Sequence, residues 1–463
     1  MSSVVQTDSP KGIYKNLVRL AVPIMLANLS QMMYNLADAF FLGRLGREAV
    51  AAASIAFNLV MFVVVVGLGL ANAGTTLIAQ SIGAGRQDRA NFYLGQTTLV
   101  LMVGAVLFSL LMTVFGSQIL QLMQVPPDTF TETLIYTRII FAALPLMFMS
   151  FVLQAAMQGV GDSVTPLMVQ LIAVTLNVAL DPLLIFGVGP FPRLEVAGAA
   201  VATVIARGLG SILAVTILLR GRSGLRLQLR HLKPDRQGLS VLLRIGVPAS
   251  LGQGVSALGF TVLQGVVNSF GSAVVAAFGI GNRIINLFIM PAIGLSRATS
   301  SLVGQCLGAE QYWKAKTVVR YATRSILVFI TLGMTLTFFY GHSFVRFFVN
   351  DPEVISHGAV MFRIVSASVV TFALLTVLFG AFEGGGYTKP VMYLSVFRLW
   401  GLRVPLAWLF SLRLGFGPNG IWMAMFVSNL VTAVWGMAVL KRGRWLRKIE
   451  HHDVVASADE AID

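Results

Sequence analysis

The sequence of residues 19–31, RLAVPIMLANLSQ, returns in related form at residues 244–256 as RIGVPASLGQGVS, an offset of 225 residues. The same offset, drifting by one to three residues near the end of each half, relates three further pairs of stretches: LIAQSIGAG (77–85) and LVGQCLGAE (302–310), VPPDTFTETLIYTRI (125–139) and NDPEVISHGAVMFRI (350–364), and AAMQGVGDSVTP (155–166) and GAFEGGGYTKP (380–390). Chance does not preserve one register over such distances, so we infer that the chain is an internal duplication.

The composition places both copies in a membrane. Of the 463 residues, 56% are hydrophobic and only 11% are charged, whereas soluble globular proteins carry about 25% charged residues. Apolar runs of roughly 20 residues recur along the chain, and each is long enough to cross a bilayer as a helix. Membrane helices tolerate the glycines and prolines that interrupt these runs. The sequence therefore predicts an all-α, polytopic membrane protein.

Twelve spans are predicted, six in each copy. They cover residues 16–42, 51–73, 90–115, 132–157, 165–187, 196–219, 239–267, 273–300, 315–340, 356–382, 390–412 and 420–440. With six spans per copy, both copies enter the membrane from the same side, so two six-helix bundles are related by a pseudo-twofold axis along the membrane normal. The predicted domains are an N-terminal lobe (1–219), a basic cytoplasmic linker (220–238), a C-terminal lobe (239–441) and a cytoplasmic tail (442–463).

Lysine and arginine residues cluster on one side of this topology. They are concentrated in the N-terminal tail, the loop after span 2, the linker, the loop after span 8 and the C-terminal tail. Because basic residues favour the cytoplasmic side, we expect both termini in the cytoplasm and the protein in the cell membrane. The net charge of +15 is explained by these loops and does not indicate nucleic-acid binding. The first apolar run is too long for a cleavable signal peptide, and a single cysteine excludes an internal disulfide.

Two acidic residues lie inside predicted spans of the N-terminal lobe. Asp38 follows Leu20 by 18 residues in span 1, about 27 Å from the cytoplasmic face of a helix. Asp181, in span 5, is roughly 24 Å deep by the same measure. Acids at such depth are costly and usually functional. A lone intramembrane aspartate also serves as a hydrogen-bond partner between helices, but two at matched depth in one lobe favour a site.

Polar neighbours accompany both acids. Gln31, Tyr34 and Asp38 have the spacing of one helical face, and Asn35 borders it. Asn177 and Asp181 are four residues apart and therefore also share a face.

Two further features supply oxygen atoms close to these acids. Pro182 is in a position to free a backbone carbonyl, and Thr203 offers a hydroxyl from span 6. Oxygen ligands of this kind suit Na⁺, and paired carboxylates equally suit a shared proton. The coupling ion therefore stays open between H⁺ and Na⁺.

The second copy does not repeat this chemistry. The 225-residue offset places Leu263 opposite Asp38, and the drifted register places the Arg403–Pro405 region opposite Asp181. The repeat is thus symmetric in fold and asymmetric in charge, and we expect cation coupling in the N-terminal lobe.

These motifs together resemble the multidrug and toxic compound extrusion (MATE) transporters over residues 12–445. The resemblance rests on the span 1 pattern AVPIML…YNLADAFFLGRLG, AQSIGAG after span 2, QGVGDSVTP between spans 4 and 5, and NVALDPLLIFG in span 5. The acids of the first lobe are similar to those of the branch named for DNA-damage-inducible protein F. The resemblance implies a secondary antiporter that expels cationic or amphiphilic compounds in exchange for H⁺ or Na⁺ by alternating access.

The resemblance also implies roles for individual residues. A cation site would be formed by Asp38, Asp181, Asn177 and Thr203, of which Asp38, Asn177 and Asp181 could hold Na⁺ and no other metal is expected. A bending point in span 1 would lie at Pro23. The predicted substrate cavity is lined by Gln31, Tyr34, Asn35, Tyr136, Gln154 and Asn177.

Alternatives to a multidrug exporter were weighed on the same residues. A lipid-linked oligosaccharide flippase of the same superfamily is favoured by basic residues inside a cavity, and the candidates are Arg207, Arg283, Arg297 and Arg403. No His, Asp or Glu cluster has the spacing of a catalytic metal site, so we expect no enzyme. A channel is a third alternative. We expect a monomer without cofactors, whose partners are small amphiphilic molecules and the lipid bilayer.

Overall fold

The computed structural model describes residue 6 and residues 9–449, and within this part every regular element is helical. Each predicted span has a helical counterpart, and we number these spans 1 to 12: Pro10–Gly43, Arg47–Gly83, Gln87–Leu122, Pro127–Ala142 with Leu144–Val160, Val164–Phe186, Glu195–Arg220, Arg236–Asn268, Ser272–Gly308, Tyr312–Phe348, Pro352–Gly384, Thr388–Val396 with its continuation to Arg413, and Pro418–Lys441. Most helices are longer than the predicted apolar runs because polar residues at both ends of each run are also helical. The predicted tail beyond residue 449 lies outside the described residues.

Span 4 is broken where a proline follows a short interruption. Pro127–Ala142 and Leu144–Val160 meet at an angle of 45°, and Pro145 occupies the first turn of the second helix. Proline is tolerated there because its missing N–H is not needed in a first turn. Ten of the described helices are long and apolar enough to cross a membrane alone, and this bent pair supplies a further span.

Span 11 winds irregularly along its length. The α-helix Thr388–Val396 passes into a π-helical stretch, Phe397–Arg403, and a second stretch, Leu409–Arg413, follows the short α-helix Val404–Trp408. The wider turns bracket Pro405, which cannot donate the usual helical hydrogen bond. π-Turns are frequent at functional sites, and this one contains Arg398 and Arg403.

The described chain packs as two compact units. Residues 26–250 form the N-terminal unit, and residues 9–25 with 251–449 form the C-terminal unit. The start of span 1 therefore packs in the C-terminal unit, where Ile13, Leu17 and Ile24 join its apolar core. The start of span 7 packs in the N-terminal unit, where the Ser250 hydroxyl donates to the Val66 carbonyl at 2.9 Å.

These units differ from the predicted lobes at the first segments of spans 1 and 7. The lobe boundaries were placed at the linker, whereas each unit takes its boundary inside a helix, two residues beyond Pro23 and Pro248. Hydropathy gives the existence of a span but not the bundle against which it packs, so the sequence could not show this exchange.

Two glycines allow the exchanged segments to pack closely. A Cβ at Gly69 in span 2 would lie 2.4 Å from the backbone nitrogen of Ser250. A Cβ at Gly294 in span 8 would lie 2.6 Å from Cγ of Met25. Both pairs obey the 225-residue offset, so the duplication extends to the details of helix crossing.

The linker between the repeats is packed on span 3. The side-chain amide of Gln96 donates to the carbonyls of His231 and Lys233, both at 2.8 Å. The backbone N–H of Arg226 donates to Asn91 at 2.9 Å. These bonds satisfy backbone groups that no helix pairs, and they fix the linker against the N-terminal unit.

Candidate functional site

The two aspartates of the N-terminal unit lie one turn before Leu42 and Ile185, which belong to the same buried apolar cluster. Asp181 is 0% exposed and Asn177 is 1% exposed in span 5. Asp38 lies one turn after Tyr34 in span 1, and the Tyr34 hydroxyl contacts Thr203 of span 6. We call Asp38, Asn177, Asp181 and Thr203 the acid cluster.

Asn177 connects the acid cluster to span 6. Its amide nitrogen donates to a carboxylate oxygen of Asp181 at 3.3 Å. In the amide orientation that satisfies both ends, its oxygen accepts the backbone N–H of Thr203 at 3.2 Å. Pro182 follows within the continuous helix and leaves the carbonyl of Val178 without its usual helical donor.

Asp38 has an unsatisfied oxygen. Its Oδ1 is shielded from solvent and has no hydrogen-bond partner in the described chain. A buried carboxylate oxygen without a donor is expensive, so this atom needs a proton or a cation. The other oxygen atoms of the acid cluster, apart from those of Asp38 and Asp181, are neutral. The described residues contain no group of three His, Cys, Asp or Glu side chains able to hold a metal ion.

Tyr34 and Tyr136 both lie beside the acids. The Tyr34 hydroxyl is hydrogen-bonded to Oγ1 of Thr203 at 2.8 Å and therefore joins span 1 to span 6. Tyr136 is 8% exposed and belongs to a small apolar cluster with Leu42 and Ile185. Leu42 and Ile185 lie one turn after Asp38 and Asp181, so this contact places Tyr136 at the margin of the acid cluster.

A second polar group surrounds Gln31, one turn before Tyr34. Its amide nitrogen donates to Asn35 at 3.1 Å, and its oxygen accepts from Gln170 at 2.7 Å and from Arg207 at 3.1 Å. The Arg207 guanidinium also lies over the Tyr34 ring, 5.5 Å from its centre. We call Gln31, Asn35, Gln170 and Arg207 the amide cluster.

Two members of this cluster were missed as site residues by the sequence analysis. Gln170 precedes Asn177 by seven residues and Asp181 by eleven, and this spacing puts all three on one helical face. Arg207 follows Thr203 by one turn and was considered only for a flippase. The periodicity of span 5 could have revealed Gln170, whereas the contact of Arg207 with span 1 required the fold.

Two further predicted residues lie in spans 4 and 1. Gln154 is half-buried in the second helix of span 4. Pro23 is buried in span 1 and packs in the C-terminal unit, whereas Asp38 in the same helix packs in the N-terminal unit. The segment between them therefore passes from one unit to the other.

Comparison with known proteins identifies the family. The MatE family model matches residues 23–183 and again residues 248–409. The chain belongs to the MatE family. It is therefore a membrane transporter and not an enzyme. The two matches begin at Pro23 and Pro248, which agrees with the duplication inferred from the sequence.

Relatives of this MatE protein match nearly its whole length. It is 30% identical over 458 residues to a protein of Bacillus subtilis described as a probable multidrug resistance protein, covering 96% of the chain and 98% of the relative. It is 27% identical over 420 residues to a protein of Shewanella oneidensis named as a FAD transporter, covering 90% and 92%. A crystal structure of MATE in the bent conformation matches with a TM-score of 0.88 at 24% identity, covering 96% and 97%, which confirms the fold.

Proposed function

We propose that this MatE transporter exports cationic or amphiphilic compounds in exchange for H⁺ or Na⁺, and that the acid cluster is its coupling site. The observation that carries the proposal is the buried, unpartnered Oδ1 of Asp38 beside the fully buried Asp181. A site in this condition gains stability from any proton or cation that reaches it. The multidrug resistance relative supports export as the direction of transport.

Exchange follows from competition for the same negative charge. A cationic substrate and the coupling ion both reduce the repulsion between Asp38 and Asp181, so each weakens the binding of the other. The coupling ion enters from the side where its gradient favours binding, and the substrate is released there. The ion is later released on the opposite side, and the acids are again available.

A hydrogen bond of span 1 can link the charge state of the acids to the position of this helix. Tyr34 and Asp38 lie one turn apart in span 1, and Tyr34 is bonded to Thr203 of span 6. A change of charge at Asp38 therefore acts on the contact between these helices. In our proposal span 1 bends at Pro23, where proline has removed a helical hydrogen bond.

The amide cluster lies on spans 1, 5 and 6, which also carry the acid cluster, and its polar groups are suited to orient a substrate. It presents amide groups from Gln31, Asn35 and Gln170, together with the Tyr34 ring, to a polar or aromatic compound. Gln154 and Tyr136 stay part of the proposed cavity lining. We further propose that both termini are cytoplasmic, that the protein acts as a monomer in the cell membrane, and that it needs no cofactor.

Reconstituted protein can test this proposal directly. Proteoliposomes containing the wild type should transport a fluorescent cation such as ethidium when a pH gradient or a Na⁺ gradient is imposed separately. The double variant Asp38→Asn, Asp181→Asn should show no gradient-driven transport. Undiminished transport by a correctly inserted double variant would refute the coupling site.

A matched control is available in the same unit. Glu195 is exposed and paired with Arg193 at 3.2 Å, outside the acid cluster. Glu195→Gln should transport as the wild type does. FAD and a lipid-linked oligosaccharide should be tested as substrates in the same assay. The Shewanella relative named as a FAD transporter suggests the first, and the flippase alternative suggests the second.

A further inference from the structure

Two arginines are buried inside the C-terminal unit. Arg398 is 4% exposed and Arg403 is 1% exposed, and both lie in the π-helical stretch Phe397–Arg403 of span 11. No ion pair joins either arginine to a carboxylate of the described chain. Two guanidinium cations without a counter-charge are costly in a membrane span, so their retention calls for a physical reason.

The hydrogen-bond partners of these arginines are neutral, and there are fewer of them than the guanidinium groups have N–H donors. Arg403 donates through Nε to the Ser428 hydroxyl at 3.0 Å and through Nη2 to Oδ1 of Asn429. Arg398 donates through Nη1 to the same Asn429 oxygen at 3.3 Å. The Asn429 amide nitrogen in turn donates to the Ser368 hydroxyl at 2.9 Å. One amide oxygen thus accepts from both cations.

The remaining contacts of the pair are aromatic. The Arg398 guanidinium lies 4.9 Å from the centre of the Phe372 ring, and that of Arg403 lies 5.6 Å from the Phe260 ring. Nε of Arg398 is buried without any hydrogen-bond partner. Aromatic rings attract cations but do not neutralise them, and they leave the N–H groups free to bind an anion.

The pair is close to the surface of its unit. The Phe260 ring, which Arg403 faces, is 44% exposed, and Trp400, between the arginines in sequence, is 39% exposed. The Trp400 indole N–H donates to the carbonyl of Val255 at 3.0 Å and holds that ring in place. An amphiphile could therefore lay an aromatic body on these rings while an acidic group reaches the guanidinium pair.

We propose that Arg398 and Arg403 bind the anionic group, a carboxylate or phosphate, of an aromatic amphiphile. Guanidinium groups match these anions because their N–H donors are planar and parallel. The inference rests on the proposed transport function, and it extends the substrate class from cations to acidic and zwitterionic compounds. We call Arg398, Arg403 and Asn429 the arginine site.

The test uses a change that neutralises the site without altering its size. In Asn429→Asp, a carboxylate would lie where the amide oxygen now accepts from both arginines, and it would compete with a bound anion. Purified protein in detergent is titrated with carboxyfluorescein, and binding is read by fluorescence anisotropy. We expect the wild type to bind the dye and the variant to bind it about tenfold or more weakly, as for loss of a buried charge contact.

The control is an arginine elsewhere in span 11. Arg413 is exposed and lies over the Trp408 ring at 4.9 Å, so Arg413→Gln should bind carboxyfluorescein as the wild type does. Asn429→Asp adds a charge partner for the two arginines but also places a carboxylate oxygen where the Asn429 amide nitrogen now donates to the Ser368 carbonyl at 3.1 Å. The melting temperature of each variant is therefore measured first, and dye binding is compared at a temperature at which all variants are folded.

Several outcomes separate the possible explanations. Failure of the wild type to bind the dye, or equal binding by wild type and Asn429→Asp, overturns the proposal and makes the arginines structural. Ethidium binding is measured in the same samples. If the wild type does not bind ethidium, that result counts against the proposed function and not against the arginine site. Displacement of the dye by phosphatidylglycerol nanodiscs but not by phenyl phosphate would identify a lipid headgroup as the anion, whereas the reverse would identify a soluble amphiphile.

Discussion

In the N-terminal unit, Asp181 is held by the amide of Asn177, while in the C-terminal unit the corresponding region holds Arg403 against the amide of Asn429. Both clusters join the fifth and sixth spans of their repeat, and both use a neutral carboxamide to support an uncompensated charge. The sign of that charge is reversed. One duplicated scaffold has therefore acquired two sites of opposite polarity, and the scaffold itself does not select an ion.

The difference also extends to how each charge is satisfied. In the acid cluster the unsatisfied atom is an acceptor, Oδ1 of Asp38, which a proton or a cation can fill. In the arginine site it is a donor, Nε of Arg398, which only an acceptor can fill. Each site therefore favours a ligand of the opposite charge to its own.

The largest expected effect comes from a pair of reciprocal substitutions. Asp181→Asn removes a negative charge from one site, and Asn429→Asp adds one to the other, with little change of size in either case. Ethidium binding should weaken about tenfold or more in Asp181→Asn and by less than about twofold in Asn429→Asp. Carboxyfluorescein binding should show the opposite pattern. Parallel losses for both dyes in one variant would mean that the two sites are not chemically separate.

The second prediction concerns pH. Protonation removes charge from the carboxylates, so ethidium binding should weaken several-fold as the pH falls through the range in which the acid cluster titrates. The double variant Asp38→Asn, Asp181→Asn should bind ethidium weakly at every pH. Titration at fixed pH with NaCl, and with choline chloride as the ionic-strength control, distinguishes competition by Na⁺ from competition by H⁺.

A third prediction tests the scaffold that both units share. A methyl group at Gly69 would meet the backbone of Ser250, whereas one at Gly294 would first meet the flexible side chain of Met25. We expect Gly69→Ala to lower stability by about 1–3 kcal/mol and Gly294→Ala to lower it less.

Thermal unfolding in detergent measures both variants of this pair. Gly104→Ala in span 3 is the control, because nothing lies within 4 Å of its added methyl group and alanine favours a helix. Equal destabilisation by all three changes would contradict close packing of the exchanged segments.

The smallest expected effect belongs to the bond between spans 1 and 6. Tyr34→Phe removes the hydroxyl bonded to Thr203 and should reduce ethidium binding by a few-fold, in line with about 0.5–1.5 kcal/mol for one hydrogen bond. Tyr340→Phe, at a tyrosine that is 60% exposed in span 9, should leave binding unchanged. A larger loss than that of Asp181→Asn would place the main substrate contact at Tyr34 rather than at the acids.

The residues of the proposed N-terminal site could be selected from the sequence because they are helical neighbours. The spacings of Tyr34 from Asp38 and of Asn177 from Asp181 are local, and similar depth in neighbouring spans suggested that the two pairs meet. Arg398 and Arg403 carried less information in sequence, because single arginines within span 11 gave no indication that they meet each other. Their shared partner, Asn429, lies in another span, and no spacing rule relates it to them.

By itself the sequence determined the class of the protein, its duplication, the number of spans and the position of the acids. All of these follow from local properties: apolar length, helical periodicity and a constant offset between repeats. Tertiary structure decided which helix segments pack together, so that the first segments of spans 1 and 7 leave their own repeat. It also decided that two arginines meet one asparagine, because contacts between distant spans depend on side-chain packing that no local pattern encodes.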